Sequence, residues 1–170
     1  MSRIIKNKER DDMNAEIAVV DSLKKWIKGE ATWAEVEGMT FEEARAIAQV
    51  GCDLAGQGRL EEARVIFEGL VAGNPKDSGS QAALGTVYQK LGRIDDAREA
   101  YDAALAADPK NPVALGNRGE LRLKGGDKAG FADLMLAVEA DPHGETAAGR
   151  RAAGLVRAIT LQAVELLKNK

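Results

Sequence analysis

The sequence predicts an all-α fold, an α-solenoid of three helix-pair repeats with further helices at both ends. The first observation is a period of 34 residues, which separates Gly51 from Gly85 and Pro75 from Pro109. Periods of this length are typical of stacked helical hairpins. The second is composition, because 18 glycines and only 4% aromatic residues in a chain of 170 suit closely packed helices. The chain has no run of about 18 apolar residues, so we expect no membrane span.

The N-terminal segment, residues 1–39, precedes the repeats and is predicted to be helical. Residues 12–28 have an amphipathic pattern. A short helix over 32–37 follows, with Thr32 as its N-cap and Glu35 three residues later. The apolar stripe of this pattern and the tryptophan near its end consist of Met13, Ile17, Val20, Trp26 and Ile27. These residues are candidates for contact with a second copy of the chain, or for packing back on the repeats.

The three repeats occupy residues 40–143. Thr40–Glu43 has the spacing of a capping box and opens the first repeat helix, while Asn111–Pro112 opens the fifth. Gly58 and Gly92 fall in the turns between paired helices, where a positive φ is often needed. The other repeated positions hold small or aromatic side chains that fill the space between helices: Gly51, Gly85, Gly119, Ala63, Ala97, Phe67 and Tyr101.

The third repeat is degenerate. It closes at Asp141–Pro142, one residue early, and has Gly130 where the pattern expects alanine. Arg118 and Arg122 stand where the pattern usually has apolar or aromatic residues. We therefore expect this repeat to be the least well packed.

The C-terminal segment, residues 144–170, is predicted to cover the last repeat. A solenoid needs such a cover because its final unit leaves an apolar face exposed. Apolar residues recur at near-helical spacing from Ala148 to Leu167, with arginines between them. This pattern predicts one long capping helix over 146–167, and the three segments together form one compact domain.

Charge is nearly balanced but unevenly spread. A net charge of −3, from 24 basic and 27 acidic side chains, argues against binding to nucleic acid. Residues 1–28 carry seven basic and five acidic groups, whereas residues 29–75 carry three and nine. The acidic stretch either faces a basic partner or forms solvated helix faces.

Groups that carry out chemistry are scarce. His143 is the only imidazole and lies in a predicted loop, and Cys52 is the only thiol and lies within a predicted helix. Catalysis needs converging groups, and a metal site needs several ligands. We therefore predict that the protein is not an enzyme and that it binds no cofactor and no metal. The first residues lack the apolar core of a signal peptide and the free cysteine suits a reducing compartment, so a cytoplasmic location is expected.

Two resemblances follow from these motifs. The repeated small and aromatic residues with a closing proline resemble the tetratricopeptide repeat, over about Ala44–Pro142. The stretches Trp26–Thr32, Trp33–Val36 and Gly58–Ala63 resemble the class II chaperones of type III secretion systems. That resemblance implies a protein that keeps a partly hydrophobic translocator client soluble before export and holds an extended client segment in its concave groove. It also implies that the N-terminal helix serves dimerisation or client contact.

The repeat register assigns nine residues to that groove: Ala48, Cys52, Ala55, Ala82, Thr86, Gln89, Gly116, Glu120 and Leu123. Most are small, which either leaves room for a client peptide or merely allows close helix packing. The resembling chaperones usually carry aromatic residues where Ala48, Cys52 and Ala55 stand. That departure favours the rival hypothesis, a scaffold or adaptor that joins components of another assembly. Ala48 and Cys52 also replace the lysine and asparagine of a carboxylate clamp, which excludes binding of chaperone C-terminal tails.

Overall fold

The computed structural model describes residues 30–168 and, before them, Lys25 and Lys28. The predicted stripe of Met13, Ile17, Val20, Trp26 and Ile27 lies outside the described residues. The helices are α1 (Trp33–Val36), α2 (Phe41–Gly56), α3 (Leu60–Gly73), α4 (Ser78–Lys90), α5 (Ile94–Ala107), α6 (Pro112–Lys124), α7 (Gly130–Ala140) and α8 (Ala147–Lys168).

Helices α2 to α7 form three successive hairpins, α2 with α3, α4 with α5 and α6 with α7. Each hairpin packs on the next, and α8 packs against both α6 and α7. The predicted all-α repeat solenoid is therefore confirmed. None of the helices within residues 30–168 has the length and apolar character needed to span a lipid bilayer.

Side-chain caps begin the helices where the sequence predicts them. The Thr40 hydroxyl accepts a hydrogen bond from the Glu43 backbone N at 3.2 Å, and the Glu43 carboxylate accepts one from the Thr40 N at 2.8 Å. The Asn111 side chain accepts from the backbone N of both Val113 and Ala114 at 3.0 Å. Such caps satisfy backbone N–H groups that have no partner within the helix.

The repeated positions have their predicted structural roles. Gly58 and Gly92 have φ values of 80° and 77°, a region that side chains with a Cβ rarely adopt. Gly85 packs against the ring of Tyr101, which has no exposed surface, and a Cβ at residue 85 would lie 2.6 Å from the ring carbon Cε1. Phe67, with 1% of its surface exposed, fills the matching space in the first repeat.

The third repeat is closely packed, contrary to the expectation of loose packing. Leu134 and Ala137 have no exposed surface. The guanidinium groups of Arg118 and Arg122 both donate to the Asp133 carboxylate, at 2.8 to 2.9 Å. Gly130 lets α7 approach α6 closely. Asp133 thus pairs with both of the unusual arginines, and the missing side chain at Gly130 allows the close contact between the helices.

The capping helix α8 begins at Ala147 and ends at Lys168, one residue away from the predicted bounds at each end. Its first half is held against the repeats, where Ala148 and Ala152 are 4% and 0% exposed. Its last turns leave the repeats, and Leu166 and Leu167 are 63% and 72% exposed. A helix of 22 residues is about 33 Å long, so α8 extends well beyond the hairpin that it covers.

Asp141 joins the last repeat to the capping helix. Its carboxylate accepts hydrogen bonds from the backbone N of Glu145 at 2.7 Å, and from the backbone N and hydroxyl of Thr146 at 2.9 and 2.8 Å. The bonds from Thr146 are the largest cause that lowers the pKa of Asp141 below its ordinary value of 3.8.

The substitution Asp141→Asn should lower the melting temperature at pH 7 and reduce its dependence on acid. The folded-state pKa of Asp141 is depressed, so the ionised carboxylate stabilises the fold above about pH 4, and this contribution is lost as the pH falls through the folded-state pKa. Thermal unfolding followed by circular dichroism should show a smaller loss of stability between pH 5 and pH 3 for the variant than for the parent. Equal losses in the two proteins would contradict the role of Asp141, and the exposed Asp95→Asn serves as the control.

Candidate functional site

A cleft of about 380 Å³ opens on the first repeat, between α2 and the start of α4. The segment from Thr32 to Phe41 forms one wall of the cleft. Its apolar lining comes from α2, α3, α4 and that wall, and consists of Ala34, Met39, Phe41, Ala44, Ala48, Phe67, Leu70 and Ala83. Polar side chains also line it, namely Thr32, Glu35, Thr40, Arg45, Asn74, Asp77 and Ser80.

Helix α2 makes the cleft deep because its facing side chains are small. Ala44, Ala48 and Cys52 are four residues apart, so they lie one above the other on the same face. Larger side chains at these three positions would fill the volume. The small residues predicted at Ala48 and Cys52 therefore do leave open space at this end of the solenoid.

Phe41 is a lining residue outside the predicted groove positions. It is 78% exposed and belongs to the same face of α2 as Ala44 and Ala48. The spacing 41, 44, 48 and 52 is the signal that would have placed it there. An aromatic side chain thus stands at the cleft, although the predicted groove positions hold none.

Cys52, within α2 as predicted, is exposed. Partial loss of solvent, and secondarily the neighbouring Asp53 carboxylate, raise the pKa of the thiol. The sulfur is therefore protonated at neutral pH and is a weak nucleophile.

The second-repeat residues assigned to the groove are engaged in packing and hydrogen bonds. Ala82 is only 2% exposed. The Thr86 hydroxyl donates to the Ala82 carbonyl at 2.9 Å and accepts from the Asn117 amide at 3.0 Å. The Gln89 amide oxygen accepts from the Tyr101 hydroxyl at 2.7 Å, and burial raises the pKa of Tyr101 to about 12, which keeps this donor protonated. Ala55, in the first repeat, is half-buried against the core around Phe67.

Helix α8 occupies the third-repeat positions. Gly116 is buried, and a Cβ there would lie 3.1 Å from the Ala148 carbonyl oxygen. The Glu120 carboxylate accepts from the Arg151 Nε at 2.9 Å, and Arg151 also donates to the Asn117 side chain at 2.6 Å. Leu123 packs against the C-terminal core. Of the nine predicted groove residues, the structure brings Ala48 and Cys52 into the cleft and uses the others elsewhere.

Comparison with known proteins agrees with this architecture. The family model for the tetratricopeptide repeat matches residues 54–116. No curated protein sequence matches the chain at a significant level.

Several solved structures share the fold at low sequence identity. A type III secretion complex from Aeromonas hydrophila superposes with a TM-score of 0.70 and 17% identity, covering 84% of this chain and 97% of that one. The type III secretion translocator chaperone SycD from Yersinia enterocolitica gives a TM-score of 0.66 and 23% identity, covering 75% and 98%. PcrH from Pseudomonas aeruginosa gives 0.62 and 21%, covering 71% and 94%. The chain thus contains a tetratricopeptide repeat region over residues 54–116 and shares its fold with solved structures that include the type III secretion translocator chaperone SycD.

Proposed function

We propose that the protein is a non-enzymatic, cytoplasmic chaperone that holds an extended, partly hydrophobic segment of a secretion-system translocator. The observation that carries this proposal is the cleft of about 380 Å³ lined by Ala44, Ala48, Phe41 and Phe67. A cleft of this size that is mainly apolar, with a few polar groups at its edge, suits one or two large apolar side chains.

The nature of the client is supported by proteins of the same fold. The chaperone SycD has been solved in complex with a peptide of the translocator YopD. PcrH has been solved in complex with the chaperone binding region of PopD. We extend this client class to the present chain because the fold is shared and an open apolar cleft is present.

The lining of the cleft defines the client segment further. Phe41 offers an exposed aromatic surface at the cleft, and stacking on such a surface favours a bulky apolar client residue. Beyond the cleft the predicted groove becomes polar and closely packed, from Thr86 to Arg151. The segment bound by apolar contacts is therefore short and lies across α2 and the start of α4.

A catalytic role has little chemical support. Within residues 30–168 no three or more acidic, histidine or cysteine side chains are grouped as a metal site would require. Cys52 has a raised pKa, which is opposite to what a catalytic thiol needs. The cleft offers shape and apolar contact, which are the properties of a protein-binding site.

Filling the cleft should abolish client binding. Ala48→Trp places an indole ring among Phe41, Ala44 and Ala83, so we expect at least a tenfold loss of affinity for a translocator that co-purifies with the parent protein. Co-expression with candidate translocators, followed by titration of the purified pair, measures the effect. Ala106→Trp, on the exposed side of α5, is the matched control and should bind as the parent does. Ala82 is unsuitable for this test, because tryptophan at a residue that is 2% exposed would disrupt the core.

The rival function, an adaptor between two components, is favoured by a second apolar surface. The last turns of α8 expose Leu161, Leu166 and Leu167 by 60 to 72%, far from the cleft along the chain. Under this hypothesis Ala48→Trp leaves partner binding unchanged, whereas the double variant Leu166→Glu with Leu167→Glu abolishes it. The opposite pattern is the one that the chaperone proposal expects.

A further inference from the structure

The first repeat helix has an apolar face that is covered in the other repeats. Ile47, Val50 and Leu54 of α2 stand 34 residues before Gln81, Leu84 and Tyr88 of α4. In the second repeat Gln81 and Leu84 are 7% and 6% exposed, because α3 of the preceding hairpin lies against α4.

In the first repeat the same positions are open. Ile47 and Val50 are 36% and 52% exposed. The third repeat follows the second, since Leu115, 34 residues after Gln81, is 2% exposed. The face of α2 formed by Ile47, Val50 and Leu54 thus has the character of a buried surface, at the position where the second helix of a preceding hairpin would lie.

The chain before α1 has the features of such a helix. Lys25 is helical, and its carbonyl accepts a hydrogen bond from the Glu30 backbone N at 2.8 Å. A bond across five residues of this kind is typical of a helix C-terminus, so the described contact between Glu30 and Lys25 fits a helix that precedes it in the chain. The sequence upstream predicts that helix over 12–28, with an apolar stripe of Met13, Ile17 and Val20.

Charge and shape favour the same pairing. A shallow cavity of about 490 Å³ next to Ile47 is lined by Met39, Ala46 and Ile47, together with the acidic Glu37 and Glu43. Residues 1–28 carry seven basic and five acidic groups, including three lysines at 24, 25 and 28, whereas residues 29–75 carry three basic and nine acidic groups. Residues 12–28 themselves carry three basic and three acidic groups, with all three lysines among the last five residues. The pairing therefore gains mainly from burial of apolar surface, and charge attraction is limited to the lysine end of the segment.

We propose that residues 12–28 pack in cis on the face of α2 formed by Ile47, Val50 and Leu54, as the missing half of a preceding hairpin. The segment then caps the N-terminal end of the solenoid as α8 caps the other end, and both terminal repeats have their apolar faces covered. This arrangement uses the stripe for stability within one chain, independently of any client in the cleft.

Disulfide trapping in the full chain tests the proposal. Ile17→Cys or Val20→Cys is combined with Val50→Cys, in a Cys52→Ser background that removes the native thiol. After mild oxidation, mass spectrometry and a non-reducing gel should show an intramolecular bond and a monomer for at least one pair. A bond formed solely between two chains would overturn the proposal in favour of a dimer through this helix, and the absence of any bond would overturn it as well.

A thermal measurement checks the same contact without cysteines. Val50→Asp should lower the melting temperature by about 5 °C or more, whereas Val65→Asp should change it little. Val65 is the matched control because it is also a helical valine, 59% exposed, on α3. Ile17→Asp should give a similar loss, and the double variant with Val50→Asp should lose no more than either single variant. Equal melting temperatures for the Val50 and Val65 variants, or fully additive losses, would contradict the proposed packing.

Discussion

Gly130→Ala should destabilise the protein by roughly 3 kcal/mol, although alanine is the residue that the repeat pattern expects there. A Cβ at residue 130 would overlap the carbonyl oxygen of Gly119 and lie 2.9 Å from the side chains of Arg122 and Leu123. In the reverse direction, a Cβ at Gly119 would lie 2.8 Å from the Gly130 carbonyl oxygen. The nearest obstructing atom in each direction is a backbone carbonyl oxygen, so α6 and α7 must move apart to admit a methyl group.

The sign of this effect distinguishes packing from helix propensity. Alanine is favoured over glycine within a helix by about 1 kcal/mol, and Gly69→Ala should realise that gain. Gly69 lies in the middle of α3, and a Cβ there meets no atom within 4 Å. The two substitutions are chemically identical, yet they should shift the free energy of unfolding in opposite directions when both are measured by urea titration. A Gly130→Ala variant as stable as the parent would show that the two backbones are not in such close contact.

Local features of the fold were predictable because they depend on neighbouring residues. The capping side chains Thr40 and Asn111 bond to backbone groups two or three residues away. Gly58 and Gly92 adopt a positive φ for reasons that lie within a single turn. The repeat period then places Phe67 in the first repeat core, since each hairpin repeats the geometry of the next.

The candidate site was only partly predictable, because residues far away in the sequence decide whether a groove position is open or covered. The register shows that Ala48 and Gly116 occupy equivalent faces, but Gly116 is closed by Ala148, 32 positions later in the sequence. Glu120 is similarly engaged by Arg151. Such contacts cannot be read from a local pattern. The groove positions predicted over three repeats therefore meet the described cleft at Ala48 and Cys52.

Phe41 belongs to two sequence patterns, the capped start of α2 and the stripe of residues that lines the cleft. Phe41 is the first residue after the Thr40 cap. Its membership in the stripe that continues through Ala44 and Ala48 became clear when the structure placed all three around the cleft. The consequence is functional, because Phe41 supplies the exposed aromatic surface that the predicted groove positions lack.

Asp133→Ala should also destabilise the protein by about 3 kcal/mol, because it leaves two guanidinium groups without their shared partner. The Asp133 side chain is 7% exposed, and Arg118 and Arg122 are 16% and 29% exposed. Arg118 retains a bond to Asp102 at 2.7 Å, but that carboxylate is 51% exposed and a weaker partner. The control is Asp95→Ala, which removes an exposed pair with Arg98 and should cost less than about 1 kcal/mol.

A triple variant tests whether the ion pairs themselves stabilise the third repeat. Apolar residues usually stand where Arg118 and Arg122 do in repeats of this kind, so replacing Arg118, Arg122 and Asp133 together by leucine restores an apolar contact between α6 and α7. Removing one member of a buried pair exposes the desolvation penalty of the charge that remains, whereas replacing every member removes that penalty. The triple variant should therefore recover most of the stability that Asp133→Ala loses, as measured by urea titration. If the triple variant were less stable than Asp133→Ala, the charged cluster would contribute net stability, and the third repeat would depend on its charges rather than tolerate them.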